Sequence, residues 1–379
     1  MTKTISYRYT PWWLPAALVV CLLCIVGLTT ALIIRHGAQA KIATIESSDD
    51  KSPIYSWRLV TTWPKNFPGL GRAPETFARY VDEMSDGHFE IRVFGAREIV
   101  PPLGVFDAVS NGTVQMGHSA AYYWKGKIPA APFFTSVPFG MNAQEINAWL
   151  HYGNGLTLWR EAYEPFNLIP FAGGNTGVQM GGWFNKEIST PEDIKGLKMR
   201  IPGIGGEVFA RAGGEAVNIP GGELYTSLQS GVIDATEWVG PYNDLTFGFQ
   251  QIAKYYYYPG WHEPGPTLEF IVNQDAFKSL PEKFKKIIEI ATRAVNQDML
   301  DEYTFNNHTA LNSLKEKNID IRPFPADVLK TFENAAMSLY EEQAQKDPFF
   351  AKVHKDYFTF LESARDYHKI SEEAYYRLR

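Results

Sequence analysis

Two glutamates, Glu237 and Glu263, are the side chains best suited to chemistry, because each stands in an aromatic setting. Glu237 precedes Trp238, and Glu263 follows Trp261-His262. A carboxylate among aromatic side chains needs a partner, since an unpaired buried charge is costly. The pair could act as the acid and the base of a hydrolase, could bind a cation, or could form ordinary salt bridges. The residues alone leave these three alternatives open.

Arg200 is the cationic side chain best placed to bind an anion. It ends an apolar strand between Met199 and Ile201, before a Pro-Gly turn. A guanidinium there fits either a protein carboxylate or the carboxylate of a bound molecule. If a bound molecule takes Arg200, Glu237 and Glu263 leave excess negative charge that a cation would balance. Oxygen ligands of this kind favour Na⁺ or Ca²⁺ over zinc.

Gln179 lies in a glycine-rich stretch, residues 173–184, that is expected to hold a strand over 179–185. Glycine near a strand permits either close approach to a ligand or tight sheet packing. His118 and His262 are isolated in the sequence and are expected to be structural. The sequence contains no G-x-S-x-G, H-E-x-x-H or P-loop motif, and no cysteine after residue 24. These features favour a binding protein over an enzyme.

Two similar segments, residues 106–124 and 227–244, must position these side chains. In each, a helix stops at a glycine (Gly112 or Gly231), a short strand follows, and the strand ends in polar and aromatic residues. The second strand is expected to be buried over 232–235. Open α/β sheets bind ligands beyond the carboxyl ends of their strands. Such connections are common, so the likeness does not establish a duplication, but it indicates two α/β units.

Length and composition indicate a globular α/β protein with more than one domain. The chain has 379 residues, a formal net charge of −6 and 45% hydrophobic residues, enough for two cores. The acidic balance argues against nucleic acid, which requires clustered Lys and Arg. Residues 55–118 follow a β-α-β-α-β pattern that predicts a mainly parallel sheet. The C-terminal third is predicted to be helical, and its last helix could pack on its own lobe or on a partner subunit.

The N-terminal residues predict export from the cytoplasm. Lys3 and Arg8 precede an apolar run over 14–34, and an A-x-A pattern follows at 38–40. This arrangement is typical of a secretory signal peptide over residues 1–40. The apolar run is long enough to serve instead as an uncleaved membrane anchor. Residues 41–53 are polar and are expected to be a linker.

Five segments together resemble the solute-binding subunits of tripartite ATP-independent periplasmic (TRAP) transporters, the DctP-type family. They are D-A-V-S-N-G-T-V-Q-M-G-H (107–118), G-N-T-G-V-Q-M-G-G-W-F (174–184), S-T-P-E-D-I-K-G-L-K-M-R-I-P-G (189–203), S-L-Q-S-G-V-I-D-A-T-E-W-V-G-P (227–241) and G-W-H-E-P-G (260–265). Each segment is weak alone, but the set is specific and covers nearly all of 55–365. The chain is most similar to the branch that binds 2-oxo acids or other monocarboxylates, such as lactate, with a metal ion.

The resemblance implies a role for each candidate residue. Arg200 would hold the ligand carboxylate, while Gln179, Glu237 and Trp238 would also contact the ligand. Tyr123 is the contact expected from the first lobe. Gln179, the Glu237 carboxylate and the backbone carbonyl of Trp238 would also ligate Na⁺ or Ca²⁺, and Glu263 is a further candidate ligand.

The resemblance also implies a two-lobed periplasmic binding protein fold (type II-like) with a central cleft, hinge strands and long C-terminal helices. The first lobe is expected over 54–174 with part of 263–324, and the second over 175–262. The C-terminal region, 325–379, forms dimers in some members of the branch. The implied partner is a membrane permease, although a ligand-binding sensor would have the same binding residues.

Overall fold

The computed structural model describes residues 12–13, 16, 19, 22–35 and 55–379. The chain divides into two units, Met1–Pro53 and Ile54–Arg379. In the first unit, described residues 22–35 are helical (α1). None of the helices in the described ranges is both long enough and apolar enough to cross a bilayer. The predicted anchor is described only in part, and the A-x-A pattern and the linker lie outside the described residues.

The first sheet of the larger unit has five strands in the order β2-β1-β3-β10-β4. Their bounds are Tyr55–Thr61 (β1), Phe89–Phe94 (β2), Met116–Ser119 (β3), Leu168–Asn175 (β4) and Thr267–Asn273 (β10). Strand β1 pairs in parallel with both β2 and β3, while β10 runs antiparallel to β3 and β4. Helices α2 (Arg72–Met84) and α3 (Val105–Ser110) connect the three parallel strands. The β-α-β-α-β prediction for 55–118 is therefore confirmed.

The second sheet has six strands in the order β11-β9-β5-β8-β6-β7. Their bounds are Gly182–Phe184 (β5), Lys198–Arg200 (β6), Glu215–Val217 (β7), Ala235–Thr236 (β8), Tyr255–Tyr258 (β9) and Asp320–Pro323 (β11). Strand β6 pairs in parallel with β7 and β8, and β5 runs antiparallel to β8 and β9. We call the region around the first sheet the first lobe and that around the second sheet the second lobe.

The remaining helices cover and join the two sheets. They are Ala143–Tyr152 (α4), Gly155–Tyr163 (α5), Gly203–Arg211 (α6), Leu224–Gln229 (α7), Pro241–Phe247 (α8), Gln274–Ser279 (α9), Glu282–Glu316 (α10), Ala326–Lys346 (α11), Pro348–Ile370 (α12) and Glu372–Tyr376 (α13). Helix α10 contacts β4 of the first sheet and also α8, which follows β8 of the second. The mixed α/β fold with long C-terminal helices is as expected.

The last long helix packs on its own chain. Phe350, Val353, Tyr357 and Leu361 of α12 are buried, and the helix contacts α4, α5 and α11. The hydroxyl of Tyr357 accepts a hydrogen bond from the backbone N–H of Met141 at 2.6 Å. Burial of these apolar side chains is therefore achieved without a partner subunit. Dimerisation stays a prediction.

The strand predicted over 232–235 is wrong in its extent. Strand β8 covers only Ala235–Thr236, and Val232 is 61% exposed. The glycine stop itself is present, since Gly112 and Gly231 have φ values of +71° and +75°. That left-handed conformation suits glycine, and the turn that it begins delays pairing with β6 until Asp234. The first segment is alike, because β3 starts at Met116, four residues after Gly112.

Candidate functional site

Arg200 and Glu237 come together because their strands are parallel neighbours. Arg200 ends β6 and pairs in register with Thr236 of β8. Glu237 is the next residue, and its N–H donates to the carbonyl of Arg200 at 3.3 Å. Both side chains therefore emerge at the carboxyl edge of the second sheet, where open α/β sheets place their ligands. Each is about 1% exposed.

The guanidinium of Arg200 contacts groups from both lobes. Nη1 forms an ion pair with the Glu237 carboxylate, and Nε donates to the carbonyl of Ile219 at 3.0 Å. Nη2 donates to the hydroxyl of Tyr123, a first-lobe residue, at 3.2 Å. The Trp238 ring lies 5.3 Å from Cζ, in cation–π range. Of the two partners left open by the sequence, the structure pairs Arg200 with a protein carboxylate, and one guanidinium edge faces the other lobe.

Glu237, His262 and Glu263 form a buried cluster. One potential ligand atom from each lies within 4.8 Å of those of the other two. His262 Nε2 is 3.5 Å from the second carboxylate oxygen of Glu237, the one that does not face Arg200. Two carboxylates and an imidazole that converge in this way could hold a cation.

The charge of this cluster is not balanced by Arg200 alone. Burial raises the pKa of Glu263 well above its ordinary value, and the nearby Glu237 carboxylate raises it further. Burial acts to lower the pKa of Arg200, but Glu237, Tyr123, Tyr122 and Glu263 together more than offset it, so that the guanidinium stays charged. One buried cation thus faces two buried carboxyl groups. A second positive charge would stabilise the ionised form of Glu263.

Gln179 lies on a loop rather than on the expected strand, because β5 begins only at Gly182. Its backbone joins the turn after β9: the N–H donates to the carbonyl of Glu263 at 3.2 Å, and the carbonyl accepts from Gly260 at 2.8 Å. Its side-chain Nε2 donates to Thr176 Oγ1 at 3.1 Å. The amide oxygen is buried and makes no hydrogen bond. An unpartnered buried oxygen beside Glu263 fits a hard cation better than it fits a packed core.

The first lobe contributes aromatic rings and hydroxyl groups to the site. Tyr122 and Tyr123 lie in a short 3₁₀ turn, Ala121–Trp124, directly after β3. Burial raises the pKa of both phenols, and Glu263 acts on Tyr122 in the same direction. Both tyrosines therefore stay protonated and can donate hydrogen bonds at neutral pH.

Trp238 fills the space between the two lobes. Its ring packs edge-on against Trp63 and Phe67 of the first lobe at 6.3 Å between centroids. Its Nε1–H is buried without a hydrogen-bond partner. A cavity of about 410 Å³ is lined by Tyr122, Tyr123 and Lys125 from the first lobe and by residues 201–203 and 216–218 from the second.

The structure brings all six predicted site residues to one place: Tyr123, Gln179, Arg200, Glu237, Trp238 and Glu263. His262, which the sequence predicts to be structural, instead lies against Glu237. The available signal was its position next to Glu263 in W-H-E-P. His118 is structural, as expected: Trp63 Nε1 donates to its Nδ1 at 2.9 Å, and burial lowers its pKa to about 4.

A family model described as bacterial extracellular solute-binding protein, family 7 (DctP), matches residues 59–347. A monocarboxylate 2-oxoacid-binding periplasmic protein of Nostoc sp. is 43% identical over 347 residues, which cover 92% of this chain and 94% of the relative.

Two solved structures of TRAP periplasmic solute-binding proteins are also similar. The protein of Colwellia psychrerythraea, with bound calcium and pyruvate, has a TM-score of 0.84 and is 47% identical in sequence. The match covers 86% of this chain and 100% of the solved chain. The protein of Pseudoalteromonas atlantica, with bound sodium and pyruvate, has a TM-score of 0.84 and is 48% identical in sequence. The match covers 86% of this chain and 99% of the solved chain.

Proposed function

The chain belongs to the DctP family of bacterial extracellular solute-binding proteins, and from that premise we propose that it captures a small monocarboxylate, a 2-oxo acid or a lactate-like acid, together with Na⁺ or Ca²⁺. The observation that carries the proposal is the convergence of Arg200 with three buried side chains that could ligate a cation. Pyruvate is the first ligand to test, because two similar solved structures hold it.

In this proposal Arg200 holds the carboxylate, with the Tyr123 hydroxyl at the same guanidinium edge. A bound cation supplies the positive charge that Glu237 and Glu263 require. Gln179 contributes its free amide oxygen, and the Trp238 backbone carbonyl is a further ligand. Closure of the lobes excludes water, which strengthens each of these electrostatic contacts. Closure is favoured only so far as the ligand binds the closed form more tightly than the open one.

In the cell, the protein would act in the periplasm. Residues 1–40 would direct export to the periplasm, either as a cleaved signal peptide or with 14–34 retained as a tether. The first lobe would comprise 54–174 with part of 263–324, and the second 175–262. The closed protein would deliver its ligand to membrane permease subunits without catalysing a reaction. The C-terminal region, 325–379, is the segment through which a homodimer would form.

Calorimetry with purified protein tests the proposal directly. Pyruvate should bind with Ca²⁺ or Na⁺ present, and chelation of Ca²⁺ in Na⁺-free buffer should weaken or abolish binding. Lactate and longer 2-oxo acids, titrated in parallel, would rank the ligands. Full affinity for pyruvate in a protein free of metal would reject the cation. Turnover of the added acids or of glycosides, followed by chromatography, would instead favour a two-carboxylate hydrolase.

A further inference from the structure

We propose that Asp244 is a positioning residue that fixes the loop presenting Glu237 and Trp238. The inference rests on the proposed function of that loop, but it concerns a residue with no contact to Arg200 or to the buried cluster. Asp244 is 1% exposed and lies in the first turn of α8. A carboxyl group so deeply buried requires compensation, and its partners indicate what it holds in place.

One carboxylate oxygen of Asp244 binds the backbone of the loop. Oδ1 accepts hydrogen bonds from the N–H of Val239 at 3.3 Å and from the N–H of Gly240 at 3.2 Å. These are the two amides that directly follow Trp238. Gly240 is also the N-cap of α8, so the carboxylate lies at the positive end of that helix. The path of the chain beyond Trp238 is therefore set by one side chain.

The other carboxylate oxygen anchors this arrangement to the second sheet. Oδ2 accepts from Trp183 Nε1 at 3.0 Å and from the hydroxyl of Tyr256 at 2.7 Å. Trp183 and Tyr256 pair across β5 and β9, and their rings stack at 4.1 Å. Asp244 thus receives four hydrogen bonds, two from a loop and two from a rigid pair of strands. Hydrogen bonds of this kind restrict the orientation of neighbouring residues that contact the ligand.

The same loop also holds the segment that carries Gln179. The carbonyl of Val239 accepts a hydrogen bond from the N–H of Met180 at 3.0 Å. A shift at Val239 would therefore displace the neighbours of Gln179 as well as Glu237 and Trp238. One carboxylate outside the site thus restrains three of its proposed cation ligands.

The opposing explanation is that Asp244 contributes only to the stability of the second lobe. Two tyrosines of β9 provide a matched comparison. Tyr256 and Tyr257 are adjacent and buried, and each hydroxyl is hydrogen-bonded. The Tyr256 hydroxyl reaches Asp244, whereas the Tyr257 hydroxyl contacts the backbone of Ile188, accepting from its N–H at 2.7 Å and donating to its carbonyl at 3.2 Å. Loss of either hydroxyl weakens the same strand, but only one of them supports Asp244.

The test compares D244N, Y256F and Y257F with the unaltered protein. We expect D244N to weaken calcium-dependent pyruvate binding by about 10- to 100-fold, as for other groups that orient metal ligands. Y256F should weaken it by about 2- to 10-fold, the value of one hydrogen bond, and Y257F should leave it unchanged. Thermal unfolding records the stability of each variant separately.

Hydrogen exchange at the amides of Val239 and Gly240 supplies a readout that needs no ligand. Exchange there should accelerate in D244N and Y256F but not in Y257F. Unchanged exchange and unchanged affinity in D244N, or equal effects of Y256F and Y257F, would overturn the positioning role. If D244N does not fold, the comparison of Y256F with Y257F still tests the positioning role of Asp244. If the unaltered protein fails to bind pyruvate while exchange responds as expected, the proposed ligand is wrong and the positioning role stands.

Discussion

The segments that contain β3 and β8 are alike in sequence, but the residues that follow the two strands bring different chemical groups to the site. After β3 the chain forms the aromatic turn Ala121–Trp124, which offers rings and hydroxyl groups. After β8 the chain forms the loop 237–240, which offers a carboxylate that pairs with Arg200. We call these the aromatic tip and the charged tip. The charged tip thus belongs to the second lobe, and the first lobe contributes the aromatic tip that faces it.

A buried carboxyl group lies behind each tip, and the two are used differently. Glu269 accepts from Trp124 Nε1 and from the hydroxyl of Tyr163, so it touches only side chains. Asp244 also accepts from two backbone amides of the charged tip. Burial raises the pKa of each to about 7. The difference indicates that a charged tip needs its backbone fixed, whereas aromatic rings are positioned by packing.

Loss of Arg200 should have the largest effect on this comparison, because it removes the buried cation that pairs with the charged tip. Arg200→Ala leaves Glu237 buried without its partner, and the proposed ligand carboxylate without its anchor. We expect pyruvate binding to weaken by about 2–5 kcal/mol, the usual cost of truncating one partner of a buried charge pair. Calorimetry measures this. Lys198→Ala, an exposed cation on the same strand, is the matched control, and equal affinities for the two variants would contradict the anchor role.

The convergence of Arg200 and Glu237 could be predicted because it depends on local rules. Each residue follows an apolar stretch, and the ends of parallel strands share one edge of a sheet. The alternation of strands and helices over 55–118 was predictable for the same reason. These features require only the order of residues within one or two elements.

The remaining features depend on tertiary contacts that the local sequence does not reveal. Gln179 was expected on a strand, but hydrogen bonds to the turn at 260–263 hold it on a loop. His262 comes within 3.5 Å of the Glu237 carboxylate only through the tertiary fold. Val232 belongs to an apolar stretch, yet the turn begun by Gly231 leaves it exposed. For Gln179 and His262 a partner distant in sequence decides the outcome, whereas for Val232 a local turn does.

The carboxyl group behind the aromatic tip should make stability depend on pH. The pKa of Glu269 is raised from 4.5 to about 7, so the folded protein binds this proton more tightly than the unfolded chain. Its contribution is therefore largest below pH 4.5 and is lost as the pH rises to about 7, by roughly 3 kcal/mol. Glu269→Gln should remove this part of the slope of unfolding free energy against pH. Denaturant titrations at several pH values measure it.

The control for that slope is Glu164→Gln, which alters an exposed carboxyl group. If Glu269→Gln and Glu164→Gln give parallel pH profiles, Glu269 does not titrate differently in the folded protein. The same experiment on D244N sharpens the comparison between the tips. If D244N changes the pH dependence of the unfolding free energy as much as Glu269→Gln does, the two buried carboxyl groups differ in their partners and not in their ionisation.

The smallest expected effect concerns the one hydroxyl by which the aromatic tip reaches Arg200. Tyr123→Phe keeps the ring packed on Trp63 and removes only the acceptor at 3.2 Å from Nη2. Pyruvate binding should weaken by about 0.5–1.5 kcal/mol, the net value of one hydrogen bond. Tyr152→Phe, at an exposed position of the same lobe, should change nothing. A loss as large as that of Arg200→Ala would mean that the first lobe holds the ligand directly, and the division into a charged tip and an aromatic tip would fail.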